Sequence, residues 1–89
     1  MAKKRRKLNK DFEKKIYSSK KNVELVLAKI FDIDDEDIQK EYMSAFNKVV
    51  YLYDELQDDY EKKGFHDYSD ELLANYKNAF NLFEKEFEI

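Results

Sequence analysis

The sequence predicts an all-α fold, a small three-helix bundle, from three observations. Proline is absent and Gly64 is the only glycine among 89 residues. A chain so poor in turn chemistry is a poor candidate for hairpins, sandwiches or phosphate-cradling loops. Apolar residues also recur at helical, near-heptad spacing through most of the chain. Finally, seven Phe and seven Tyr supply apolar bulk that a disordered chain lacks, although 42% of residues are charged. The length suits one domain with a modest core.

Residues 1–9 read as a flexible basic arm and residues 10–89 as one helical domain. In the first helix, near 10–31, Phe12, Ile16, Val23, Leu27, Ile30 and Phe31 share a face. That stripe is interrupted at Ser19 and Lys20, where Ser18-Ser19 or Asn22 could cap a separate helix. One long helix is the preferred alternative. The second helix, 35–63, is the clearest. Tyr42, Phe46, Val49, Tyr53, Leu56 and Tyr60 repeat at spacings of four, three, four, three and four, with Ile38, Ala45 and Leu52 widening the stripe. Asp34 or Asp35 can cap its start, Lys62 and Lys63 suit its last turn, and Gly64 suits the position just beyond. The third helix, 70–87, follows a cap at Asp67 or Ser69 and presents Leu72, Leu73, Tyr76, Ala79, Phe80, Phe83 and Phe87. Short joins make successive helices antiparallel. Phe46, Val49, Tyr53, Leu56, Tyr76, Phe80 and Phe83 are the expected core. A leftover apolar stripe would leave room for a homodimer.

Charge is divided along the chain. Through residue 29 there are eleven Lys/Arg against three Asp/Glu, and from residue 30 onward six against seventeen. The net charge of −3 conceals this dipole. A basic leader attracts polyanions, and an acidic body attracts cationic protein surfaces.

No catalytic constellation can be assembled. His66 is the only histidine and lies beside Asp67, where it reads as an exposed turn residue. There is no cysteine, hence no thiolate metal site and no disulfide. The run Asp32-Ile33-Asp34-Asp35-Glu36-Asp37 resembles the start of a calcium loop. An EF-hand needs glycine at its sixth position and glutamate at its twelfth, and here those are Asp37 and Met43. A solvated, helix-capping turn is expected instead. The pairs Asp54/Asp58 and Glu55/Asp59 sit one helical turn apart, but no helix carries the histidine that di-metal carboxylate bundles use. No enzyme activity, metal or cofactor is expected.

Two surfaces remain as binding candidates. Tyr51 falls opposite the core stripe of the second helix, and with Asp54, Glu55, Asp58 and Asp59 it forms an acidic, tyrosine-bearing face. Tyrosine is enriched at interaction hot spots, so this face suits a protein partner with a basic surface, such as a nucleic-acid-binding protein. The expected role is inhibition or regulation, with rigid carboxylates imitating phosphate spacing as a nucleic-acid mimic. The alternative is contact with DNA or RNA phosphates through Lys3, Lys4, Arg5, Arg6, Lys7 and Lys10, with Lys14 and Lys15 beyond, so that residues 3–15 carry nucleic acid. No aromatics interleave that run, so base stacking is not expected.

The leader is followed by Leu8-Asn9-Lys10-Asp11 rather than an apolar run, unlike a secretory signal peptide. The longest apolar stretch, residues 23–31, contains Glu24 and Lys29 and is too short for a bilayer. A soluble, cytoplasmic protein without membrane contact is expected. The richness in Lys, Asn, Asp, Tyr and Phe is typical of AT-rich genomes and points to a low-GC bacterium or one of its phages or plasmids.

Overall fold

The computed structural model describes residues 7–87. It contains three helices, α1 (Lys10–Phe31), α2 (Glu36–Lys63) and α3 (Ser69–Phe87). With two short connections α2 runs antiparallel to both neighbours, so α1 and α3 run parallel. No strand occurs among the described residues. The single extended pairing there is a parallel bridge between Lys7 and Gly64.

Each helix starts where its backbone donors find acceptors. Asn9 caps α1, its side chain accepting from the Phe12 amide. Asp35 caps α2 by accepting from the amides of Asp37 and Ile38, one of the two capping residues expected. Gly64 ends α2 at φ 71° and ψ −161°, a region open in practice only to glycine. At α3 the expected cap differs. Ser69 is the first helical residue, buried, and its Oγ looks backward to accept the His66 amide at 2.9 Å.

Residues 10–31 form one unbroken helix, and Ser19 explains the apparent gap in its stripe. The buried positions run Phe12, Ser19, Val23, Val26 and Ile30, with Ile16 half-buried between the first two. Ser19 therefore occupies a core position. Its Oγ donates back to the Lys15 carbonyl at 2.8 Å, and its own carbonyl accepts the Tyr76 hydroxyl at 3.2 Å. A small residue admits the tyrosine.

The stripe leaves Phe31, expected on the core face, 66% exposed. Phe31 follows Ile30 directly, so it is turned about 100° away from the buried position. Val26 occupies the core where Leu27 was expected to lead, and Leu27 packs at its edge. Ile38 likewise lies outside the core, exposed at the first turn of α2.

All seven expected core residues of α2 and α3 are buried. Aromatic rings fill the interface. Phe46 packs on Phe83 and Phe80 at centroid distances of 4.8 and 6.1 Å, and Tyr53 meets Tyr76 edge-on at 5.9 Å. α2 is the spine, packed along both other helices, while α1 and α3 approach each other more loosely.

Candidate protein-interaction face

The outer face of α2 follows from the heptad stripe itself. Phe46, Val49, Tyr53 and Leu56 turn inward, so Tyr51, Asp54, Glu55 and Asp58 turn outward, and all four are exposed. Tyr51 is 63% exposed in the middle of a 28-residue helix. Asp58 bridges to Lys62 one turn on, at 3.1 Å between exposed groups, a contact of small energetic weight. Four of the five expected residues thus share one accessible face.

Asp59 does not belong with them. Its side chain is only 16% exposed, with one oxygen 2.5 Å from His66 Nε2 and the other 3.5 Å from Lys63 Nζ. Asp59, expected within the face, lies about 100° round the helix from Asp58, and the returning turn covers it. His66 departs from the expected exposed turn residue for the same reason: it is half-buried against α2. Both ring nitrogens are engaged, since Nδ1 accepts the Tyr68 amide at 3.2 Å. The pair ties the turn before α3 to the end of α2.

The acidic turn between α1 and α2 serves the backbone. Asp35 caps α2, and the Gln39 side-chain amide donates to the carbonyls of Ile30 and Phe31, each at 3.2 Å, closing the end of α1. Among the described residues no group of three or more His, Asp or Glu is placed to hold a metal ion.

Of the phosphate-contact residues expected in the arm, Lys3, Lys4, Arg5 and Arg6 lie outside the described residues. Lys7 and Lys10 are exposed. Residues 7–9, expected as part of the flexible arm, are held in place. The Lys7 carbonyl accepts the Phe65 amide at 2.7 Å, and the Asn9 amide donates to Tyr60 Oη at 3.0 Å. Tyr60 in turn donates to Glu13, while Phe12 packs between Tyr60 and Phe65.

A groove of about 670 Å³ separates α1 from α3, with Lys14, Lys15, Lys29 and Lys77 along its walls. Lys77 lies in the net-acidic part of the sequence after residue 29, so only folding brings it beside α1. The run of α1 lysines was the available signal.

No family model, curated protein or solved structure matches the chain. Among the described residues no helix is long and apolar enough to cross a membrane.

Proposed function

We propose that the chain is a non-enzymatic interaction protein. The outer face of α2 docks on a cationic surface of a macromolecular partner and thereby inhibits or regulates it. The observation that carries this reading is the exposure of Tyr51 on a long helix beside Asp54, Glu55 and Asp58. A helix supported along two sides presents these groups with little conformational entropy left to lose on binding. The aromatic ring offers an anchor, and the carboxylates steer and orient a basic partner. A nucleic-acid-binding groove has the complementary charge, and a cytoplasmic partner of this kind fits the composition.

The test is capture of partners from the native host by the full chain, repeated with Asp54→Lys, Glu55→Lys and Asp58→Lys together. Capture should be lost while the helical circular-dichroism signal persists. Tyr51→Ala should weaken binding by about 2 kcal/mol, roughly thirtyfold in Kd, if the ring is a hot spot. Charge reversal that leaves capture unchanged, with capture lost on removing residues 1–6, would transfer the function to the arm. The deletion must stop at Arg6, because Lys7 and Asn9 are tied into the fold.

The alternative, phosphate contact through the arm, is favoured by the exposure of Lys7, Lys10, Lys14 and Lys15 in sequence after the basic run. In that case retention on heparin depends on residues 1–6 and falls steeply with salt.

A further inference from the structure

We infer that the groove between α1 and α3 receives the outer face of α2 from a second copy of this chain, seated as a fourth helix. The inference deepens the reading of that face as a docking surface by naming an occupant for it.

Charge supplies the first argument. Lys14, Lys15, Lys29 and Lys77 line the groove against a single carboxylate, Glu84. Groove against groove would set lysines on lysines, which argues against a two-fold dimer through this surface. The face that answers the groove is acidic, and α2 carries one. From Ser44 to Asp58 its outer side holds three carboxylates and one lysine, Lys48.

The lysines span Lys14 to Lys29 on α1, about 22 Å of helix, and the face from Tyr51 to Asp58, about 10 Å, fits within that length. Leu25, exposed at the rim, supplies apolar surface above the buried Val26, Tyr76 and Phe80. Tyr51, exposed on the face, is a side chain that can pack on it.

The two surfaces also lie on opposite sides of one molecule. α2 packs along both α1 and α3 through its inner stripe. Its outer side therefore faces away from the opening between them. Face-to-groove contact is heterologous: each copy uses one surface and leaves the other open, so association continues beyond two copies.

Sedimentation velocity of the full chain tests this. The mass should rise above the 10.8 kDa monomer with concentration and fall back at high salt. A groove variant (Lys14→Glu, Lys29→Glu, Lys77→Glu) and a face variant (Asp54→Lys, Glu55→Lys, Asp58→Lys) should each remain monomeric. All six substituted side chains are exposed, and circular dichroism checks their folding. Mixed together, the two variants should associate again, because the unaltered acidic face of the groove variant meets the unaltered basic groove of the face variant. A wild-type chain that is monomeric at every concentration overturns the inference. So does association that survives in either variant, or a mixture that stays monomeric. A monomeric wild type whose α2 face still captures a basic partner sinks this inference alone. Assembly that behaves as described while host capture ignores the face sinks the preceding reading of the host partner alone.

Discussion

His66 Nε2 lies 2.5 Å from Asp59 Oδ2, clasping the turn that leads into α3 onto the last turns of α2. Because Nδ1 accepts the Tyr68 amide, the neutral ring carries its proton on Nε2 and donates it to the carboxylate. Two carboxylates adjacent in sequence thus have different tasks. Asp58 faces solvent, and Asp59 secures a turn.

Alanine at these two positions should separate them. Asp59→Ala removes a hydrogen bond to a charged acceptor and should cost about 1.5–3 kcal/mol in urea denaturation. Asp58→Ala, which breaks only an exposed ion pair, should fall within about 0.5 kcal/mol of wild type. Equal effects would mean that the clasp contributes nothing.

Gly64→Ala should destabilise the domain by roughly 1–3 kcal/mol, since φ 71° with ψ −161° is closed to a residue bearing a Cβ. The strain falls where the Lys7 bridge and the end of α2 meet, so amide exchange at Phe65 should accelerate as well. An unchanged melting temperature would contradict this.

The mid-bundle polar layer gives opposite expectations for two tyrosines. Tyr76→Phe removes the bond to the Ser19 carbonyl and should cost about 1 kcal/mol. Tyr53 Oη, although buried, bonds to no other group of the described chain, so Tyr53→Phe should be neutral or stabilising. Ser19→Leu completes the apolar heptad in sequence terms but drives bulk into Tyr76, and overpacking of this kind costs about 1–3 kcal/mol. Thermal or urea denaturation of the three variants ranks them. A stabilising Ser19→Leu would refute the packing account.

Alkaline pH should unfold the protein through the same layer. Burial pushes the Tyr76 hydroxyl from 10.0 up to about 12, and burial, followed by the charges of Asp54, Glu24 and Glu61, raises Tyr53 as well. In the unfolded chain these groups release their protons near the ordinary value, while the folded chain retains them. Their contribution is therefore complete below pH 10 and is lost as the pH climbs toward 12. The denaturation midpoint should be level up to about pH 9 and fall beyond it. In a tyrosinate absorbance titration Tyr53 and Tyr76 should ionise above the ordinary value of 10.0.

The spine was legible because α2 and α3 bury large residues at every turn of a regular stripe, and a helical wheel reproduces such a surface. α1 was harder for one reason, Ser19. A hydroxyl at a core position looks like a break until Tyr76, fifty-seven residues away, is seen to need the space. That shift of phase also misplaced Phe31. The outward face of α2 was readable from the same wheel as its core, which is why Tyr51, Asp54, Glu55 and Asp58 lie together. Asp59, His66 and the anchoring of residues 7–9 depend on where a turn folds back, and local periodicity carries no such information. The lysine groove joins Lys77 to α1 across the bundle and is equally non-local.

The packing of Phe12 against Tyr60 and Phe65 also fixes an order of events during synthesis. α1 emerges first, but the rings that cover Phe12 and the hydroxyl that meets Ser19 belong to the last third of the chain. At a translation rate of about 5–20 residues per second, the interval between Phe12 and Phe65 is roughly 3–10 s. An isolated helix of this length is only marginally stable in water, so the nascent segment samples helix and coil throughout that wait. The lysines along it oppose self-association of an apolar stripe that still lacks its partners.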